Sequence, residues 1–236
     1  MSSKDAALQA RLARVHERIS AGARAAGRDP GEITLLAVSK TFGASEVLAA
    51  SRAGLRSFGE NYVREGVDKI ARVREAAPGV ALEWHFIGPI QSNKSRPLAE
   101  AFAWVQSVDR ARIAQRLAEQ RPPDLPPLNI LLQVNISGEE TKSGVPADEV
   151  QALAPAVAAL PRLRLRGLMA IPAPAAGPAE QRPAFARMRR LLETLRGSGL
   201  EVDTLSMGMS DDLEAAILEG ATMVRVGTAI FGARAP

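Results

Sequence analysis

Cysteine is absent from the 236 residues, which excludes disulfides, thiol catalysis and cysteine metal sites. Histidine is nearly absent: His16 and His85 stand far apart on different kinds of segment, so no transition-metal site built from the protein is expected. No stretch of about 18 or more apolar residues occurs, and the charged, helix-patterned first 30 residues have neither an apolar core nor a small-residue cleavage site. No membrane span and no secretory signal are therefore expected, and the cytoplasm is the expected location. Basic runs and interleaved aromatics are also missing. The 30 basic and 26 acidic residues alternate along the chain, so a net charge of +4 does not point to nucleic acid.

Lysine is scarce as well. Five of the 30 basic residues are lysines (Lys4, Lys40, Lys69, Lys94 and Lys142) and the rest are arginines. Arginine keeps its proton at any working pH, whereas a desolvated lysine can lose its proton and attack a carbonyl. A function that needs an imine must therefore use one of these five.

With 46% apolar residues the chain can bury a large core, and its length suits one α/β barrel, so residues 1–236 are expected to form a single domain. Leu8, Leu12, Val15 and Ile19 recur at helical spacing between residue 5 and about 26, with Gly27 and Pro30 as a stop. Eight short apolar runs follow, at 33–39, 56–60, 84–88, 104–108, 129–135, 164–170, 204–208 and 223–231. Each has the character of a strand buried on both faces. Helical patterns lie between them, near 45–53, 60–76, 95–102, 110–120, 147–160, 180–197 and 211–219. The alternation predicts a (β/α)8 barrel with an extra N-terminal helix, in preference to an open doubly wound sheet. The Pro-rich segments 121–127 and 172–183 read as loops inside this pattern.

In such barrels the chemistry sits on the loops after the C-terminal ends of the strands. Strand one ends at Ser39-Lys40, strand two at Gly59-Glu60-Asn61-Tyr62, and strand three runs from His85 to Gly88 and on to Gln91, Asn93 and Lys94. Strand five ends at Asn135 before Glu139, Lys142 and Gly144. Gly208 and Ser210, just before a helix opening near Asp211, together with Gly227 on the next strand, have the makings of a phosphate cradle. An ordinary helix cap explains Ser210-Asp211 equally well. Lys40 has two readings: a rim residue that snorkels or pairs with Glu60, or the amine for an aldehyde cofactor with a phosphate tail. Arg225, two residues before Gly227 and on the same strand face, can meet such a cofactor's ring nitrogen without giving up its proton. His85 is either a core histidine or a site residue. Asn61 either caps the following helix or bonds the cofactor's ring hydroxyl. Lys94 and Lys142 are either solvated charges or anion ligands at the mouth.

Taken in order, Ala37-Val38-Ser39-Lys40, Gly59-Glu60-Asn61-Tyr62, His85-Phe86-Ile87-Gly88, Gly167-Leu168-Met169, Ser206-Met207-Gly208-Met209-Ser210-Asp211 and Arg225-Val226-Gly227-Thr228 resemble the pyridoxal phosphate homeostasis protein family. That family's barrel is similar to the N-terminal domain of bacterial alanine racemase, the TIM barrel of PLP fold type III. The resemblance runs from the first strand to the C-terminus. It implies that Lys40 holds pyridoxal 5'-phosphate as a Schiff base, that Ser210, Gly227 and Thr228 hold the phosphate with Ser206 nearby, that Arg225 faces the pyridine nitrogen and that Asn61 lines the same pocket. Arg64 departs from the pattern, standing where a glutamine is expected, on an outer helix. The implied function is cofactor homeostasis without catalysis, in a monomer that passes the cofactor to apo PLP-dependent enzymes. The alternative is a racemase-like enzyme. That reading needs a second acid or base on the opposite face, which alanine racemase takes from a tyrosine of a C-terminal domain; the tyrosine here is Tyr62, at the start of an outer helix. A third reading is a barrel enzyme that forms a transient imine with a phosphorylated substrate.

Overall fold

The computed structural model describes residues 3–139 and 143–232 of the chain. Strands β1 (Thr34–Val38), β2 (Ser57–Glu60), β3 (Glu83–Phe86), β4 (Trp104–Val108), β5 (Leu128–Asn135), β7 (Leu163–Met169), β8 (Thr204–Ser206) and β9 (Met223–Val226) form a parallel sheet that closes on itself. Neighbours pair in the order β4-β3-β2-β1-β9-β8-β7-β5, and β5 returns to β4. The expected (β/α)8 barrel is thus present. A two-residue strand, β6 (Val145–Pro146), pairs with the end of β5 outside the barrel; its length is below what a residue pattern can reveal.

The outer layer consists of α2 (Ala44–Arg52), α3 (Val63–Ala76), α4 (Ser95–Ala101), α5 (Ala111–Gln120), α6 (Val150–Ala158), α7 (Pro178–Gly197) and α8 (Leu213–Leu218). Among the described residues β9 is followed by a one-turn helix, α9 (Thr228–Phe231). The long leading helix, α1 (Ser3–Ala25), packs against α8 and α9 and borders a cleft shared with α2. It takes the eighth place in the ring, with Leu8, Leu12, Val15 and Ile19 buried as their spacing predicts. Arg18 grips Glu214 with two bonds of 2.6 and 2.7 Å, and Arg11 donates to the Ile230 carbonyl at 2.6 Å.

Two sequence expectations are corrected. The run 223–231 is not one strand: extended backbone ends at Val226, because Gly227 turns to φ −113, ψ −78, and the apolar Ala229-Ile230-Phe231 forms α9. A short apolar run fits either state. The Pro-rich segment 172–183 is a loop only as far as Gly177; Pro178 starts α7 and Pro183 lies within it. Proline suits a first helical position, where its fixed φ is helical and its missing N–H has no partner to lose.

The larger core lies between sheet and helices, while Trp104, Leu131 and Met169 form a small apolar cluster of their own. Leu117 on α5 is fully buried in the larger core. Leu117→Ala is expected to cost about 2–5 kcal/mol in a urea unfolding curve and to leave the barrel mouth, on the far side of the sheet from α5, unaltered.

Candidate functional site

A cavity of about 610 Å³ opens at the C-terminal ends of the strands, within the size range of small-ligand sites. Its lining brings together Lys40, Asn61, Ser210, Arg225, Gly227 and Thr228. These come from the ends of β1, β2, β8 and β9, so residues nearly 190 positions apart meet because β1 pairs with β9, with Leu36 opposite Arg225 and Ala37 opposite Val226. Arg18 of α1 reaches the same lining. Larger clefts, of about 920 and 730 Å³, lie outside the mouth, between α1 and α2 and beside Tyr62, but neither gathers convergent polar groups on strand ends.

Each mouth residue is held by local structure. Gly227 lets β9 approach β1, since a Cβ there would stand 3.2 Å from the Val38 carbonyl oxygen. Thr228 opens α9, and the first amides of a helix have no partner within it. The loop carrying Ser210 is pinned by the Asp212 carboxylate, which accepts from the Met209 amide at 2.6 Å; burial pushes that carboxyl above the usual range. Asn61 is fixed by close packing: a side chain at Gly88 would collide with the Asn61 backbone carbonyl. The buried Oδ1 of Asn61 has no hydrogen-bond partner, an acceptor left open in the wall of the cavity.

Arg225 is 3% exposed, with one guanidinium nitrogen on Ser206 Oγ at 2.8 Å and another on the Ala170 carbonyl at 2.8 Å. Burial pulls it down to about 10, so it remains a cation at neutral pH. Ser206 does not line the cavity. It is fully buried beneath Arg225 and donates to Gln106 Oε1 at 2.7 Å, so its expected place near a phosphate is corrected to a support for Arg225. Its position at the end of β8 suggested the rim, but alternation along the strand turns its side chain into the barrel.

Glu60, a conceivable partner of Lys40 from the sequence, is instead buried against Lys69, whose Nζ donates to Glu60 Oε1 at 2.7 Å, to the Ser39 carbonyl at 2.7 Å and to Glu65 Oε1 at 2.9 Å. Ser39 Oγ donates to the same Glu60 oxygen at 2.6 Å. Desolvation drives the Glu60 carboxyl above its ordinary value, with Lys69 and Ser39 opposing. Glu65 also accepts from the Thr41 amide at 2.6 Å, and Thr41, next to Lys40, has φ +68. A β-branched residue in the left-handed region is strained, and this network holds it there. Lys69 was not singled out from the sequence. The signal was available: Gly66, Lys69, Ile70 and Val73 share the buried face of α3, so a lysine stood in an apolar stripe.

His85 is a core histidine, fully buried between Glu83 Oε2 (3.0 Å) and Gln106 Nε2 (2.9 Å). Lys94 is exposed and outside the cavity lining. Asn135 shapes the turn after β5, accepting from the Gly138 amide at 3.1 Å and donating to the Glu139 carbonyl at 2.8 Å, and Gly144 packs against its backbone. Lys142 lies outside the described residues. Arg64 points away from α3 with a side chain 95% exposed, as expected for a position that does not touch the site.

This arrangement is that of the barrel found in alanine racemase N-terminal domains: the model of that family, "Alanine racemase, N-terminal domain", matches residues 10–235. The chain is 62% identical over 223 residues to the pyridoxal phosphate homeostasis protein of Pseudomonas aeruginosa, covering 94% of each chain. It is 59% identical over 223 residues to that of Escherichia coli, covering 94% of this chain and 95% of the other. Among solved structures, PipY of Synechococcus elongatus with PLP bound superposes with a TM-score of 0.81 at 34% identity, covering 95% of this chain and all of PipY. The chain belongs to the pyridoxal phosphate homeostasis protein family.

Two outcomes are expected. Gly88→Ala, forced against the Asn61 backbone, is expected to lose about 1–3 kcal/mol in urea unfolding and to disturb the mouth, which proteolysis of the 87–94 loop would register. His85 is held below its ordinary value of 6.5, mainly by desolvation. Its folded form therefore takes up a proton less readily than its unfolded form, so its contribution to stability is full above about 6.5 and declines as pH falls below it. The melting-temperature advantage of wild type over His85→Gln should accordingly shrink as pH is lowered through that value.

Proposed function

We propose that this chain binds pyridoxal 5'-phosphate at the barrel mouth, covalently through Lys40, and acts in cofactor homeostasis without classical PLP-enzyme chemistry. The observation that carries the reading is the convergence, in one cavity, of a scarce lysine, the Ser210, Gly227 and Thr228 loops and a buried arginine. The residues fit the group. The bound cofactor would supply an aldehyde open to capture by an amine and a phosphate that anchors it. Lys40 supplies the amine. Ser210 and the first amides of α9, at Gly227 and Thr228, suit the phosphate, and the open Oδ1 of Asn61 suits a ring hydroxyl as donor. Arg225, a donor with no acceptor capacity, suits an unprotonated ring nitrogen, which keeps the ring a weak electron sink.

The names of the relatives support carriage over catalysis. A racemase-like reading requires a second acid–base group across the ring from Lys40. Tyr62 does not supply it: the residue is 57% exposed and lines a groove outside the mouth. Among the described residues the carboxylate in the lining is Asp211, next to Ser210 on the phosphate side. Among the described residues no helix is long and apolar enough to cross a membrane. The fuller reading is a cytoplasmic monomer that holds the reactive aldehyde and passes it to apo PLP-dependent enzymes.

The test is the near-ultraviolet and visible spectrum of wild type beside Lys40→Ala, with borohydride reduction and peptide mapping. A yellow band in wild type alone, with the pyridoxyl label on Lys40, is expected. Colourless wild type that takes up no added pyridoxal phosphate at Lys40 would refute the reading.

A further inference from the structure

A column of hydrogen bonds runs through the barrel from the mouth to the opposite rim. Arg225 donates to Ser206 Oγ (2.8 Å), Ser206 donates to Gln106 Oε1 (2.7 Å), Gln106 Nε2 meets His85 Nδ1 (2.9 Å) and His85 Nε2 meets Glu83 Oε2 (3.0 Å). Arg225, Ser206, Gln106 and His85 are each at most 3% exposed, whereas the Glu83 side chain, at the start of β3, is 45% exposed. The four links join β9, β8, β4 and β3, and every inner member points inward by strand alternation.

The ends of this column fix its direction. A guanidinium can only donate and an ionised carboxylate can only accept. With Arg225 donating into Ser206, the serine's own proton is free to go on to Gln106 Oε1, so the amide of Gln106 must face His85 with its N–H. The second N–H of Gln106 lies 3.1 Å from Met223 Sδ, which agrees with that orientation. His85 Nδ1 is then an acceptor, and its proton sits on Nε2, toward Glu83. All four bonds point from cation to anion, and such aligned chains strengthen one another in a low-dielectric interior.

We infer that His85, Gln106 and Ser206 are positioning residues that hold the Arg225 guanidinium toward the cofactor ring, linking the electrostatics of the mouth to Glu83 at the far rim. The inference rests on the reading that pyridoxal phosphate occupies the mouth. Other charged groups face the lower end of the column: Arg166 lies 4.9 Å over the Trp104 ring, Trp104 stacks on His85 at 5.1 Å, and Asp203 holds Arg166 at 2.6 Å. The column therefore ends in a balanced cluster at the rim.

Because the chain has two histidines, of which His16 is exposed, nitrogen NMR of imidazole-labelled protein reads His85 directly. The ligand-free wild type is expected to show His85 as the neutral Nε2–H tautomer. Adding pyridoxal phosphate should shift its ring nitrogens although His85 does not line the cavity. In Gln106→Leu the shift should vanish and the dissociation constant for pyridoxal phosphate should rise about tenfold, the scale of one lost bond in a chain ending on a charge. Leu117→Ala, a destabilised control outside the column, should keep both the shift and the affinity. An Nδ1–H tautomer or a doubly protonated ring in ligand-free wild type overturns the assigned direction. Cofactor uptake at Lys40 with His85 unmoved, or an unchanged affinity in Gln106→Leu, overturns the relay alone, whereas wild type that takes up no cofactor overturns the relay together with the reading beneath it.

Discussion

A charged guanidinium with almost no access to water is the costly element of this barrel, and much of the interior is arranged around it. An isolated buried charge is penalised far more than any single hydrogen bond returns, so Arg225 must be given acceptors within the protein. The Ala170 carbonyl at the end of β7 supplies one and Ser206 the other. Ser206 can accept from Arg225 only by sending its own proton elsewhere, which demands an acceptor, and Gln106 Oε1 provides it. The demand passes on to His85 and is discharged at Glu83, where solvent begins. A barrel interior is ordinarily filled by layers of branched apolar residues. Here a polar column stands beside a small apolar cluster of Trp104, Leu131 and Met169. The substitution of polarity for packing is the structural cost of presenting a cation at the mouth.

The elements of the fold were legible because a parallel strand buried on both faces is a short apolar run between helical stripes, and seven of the eight runs ended within a few residues of where the sequence placed them. The last was drawn too long, since nothing in Thr228-Ala229-Ile230-Phe231 separates a strand from one turn of helix. The mouth residues were legible for a related reason: barrel chemistry gathers at C-terminal strand ends, so Lys40, Asn61, Gly227 and Thr228 drew attention by place. What the sequence could not convey is which interior polar groups find one another. Gln106 and Ser206 are 100 positions apart and meet across the barrel, and a polar residue inside an apolar run carries no sign of its partner. The same holds for Lys69, which takes the carboxylate that Lys40 was free to claim on sequence alone.

That second network sets the backbone geometry around Lys40. Lys69 bonds the Ser39 carbonyl immediately before Lys40, and Glu65 bonds the Thr41 amide immediately after it. The peptide flanks of Lys40 are thus tied from both sides to one helix, α3, and the left-handed Thr41 persists because these bonds over-determine it.

The chain also closes on its own mouth. Among the described residues β9 is followed by the one-turn α9, and α1 completes the outer ring, its Arg11 and Arg18 fastening α9 and α8, the helices that follow the Gly227 and Ser210 turns. Phe42, two residues beyond Lys40, stacks on Phe231 of α9 at 4.8 Å. The cavity therefore combines the first strand, the last strand and the leading helix, and it exists only when the two ends of the sequence have met. These are contacts of the highest sequence separation, which form at the greatest entropic cost in a folding chain. A ligand that bridges Lys40 and Gly227 binds the closed barrel and not the open one, so by mass action it stabilises the joint where closure is dearest. With the proposed cofactor in this cavity, its retention and barrel integrity would be one equilibrium, governed by the β1–β9 seam.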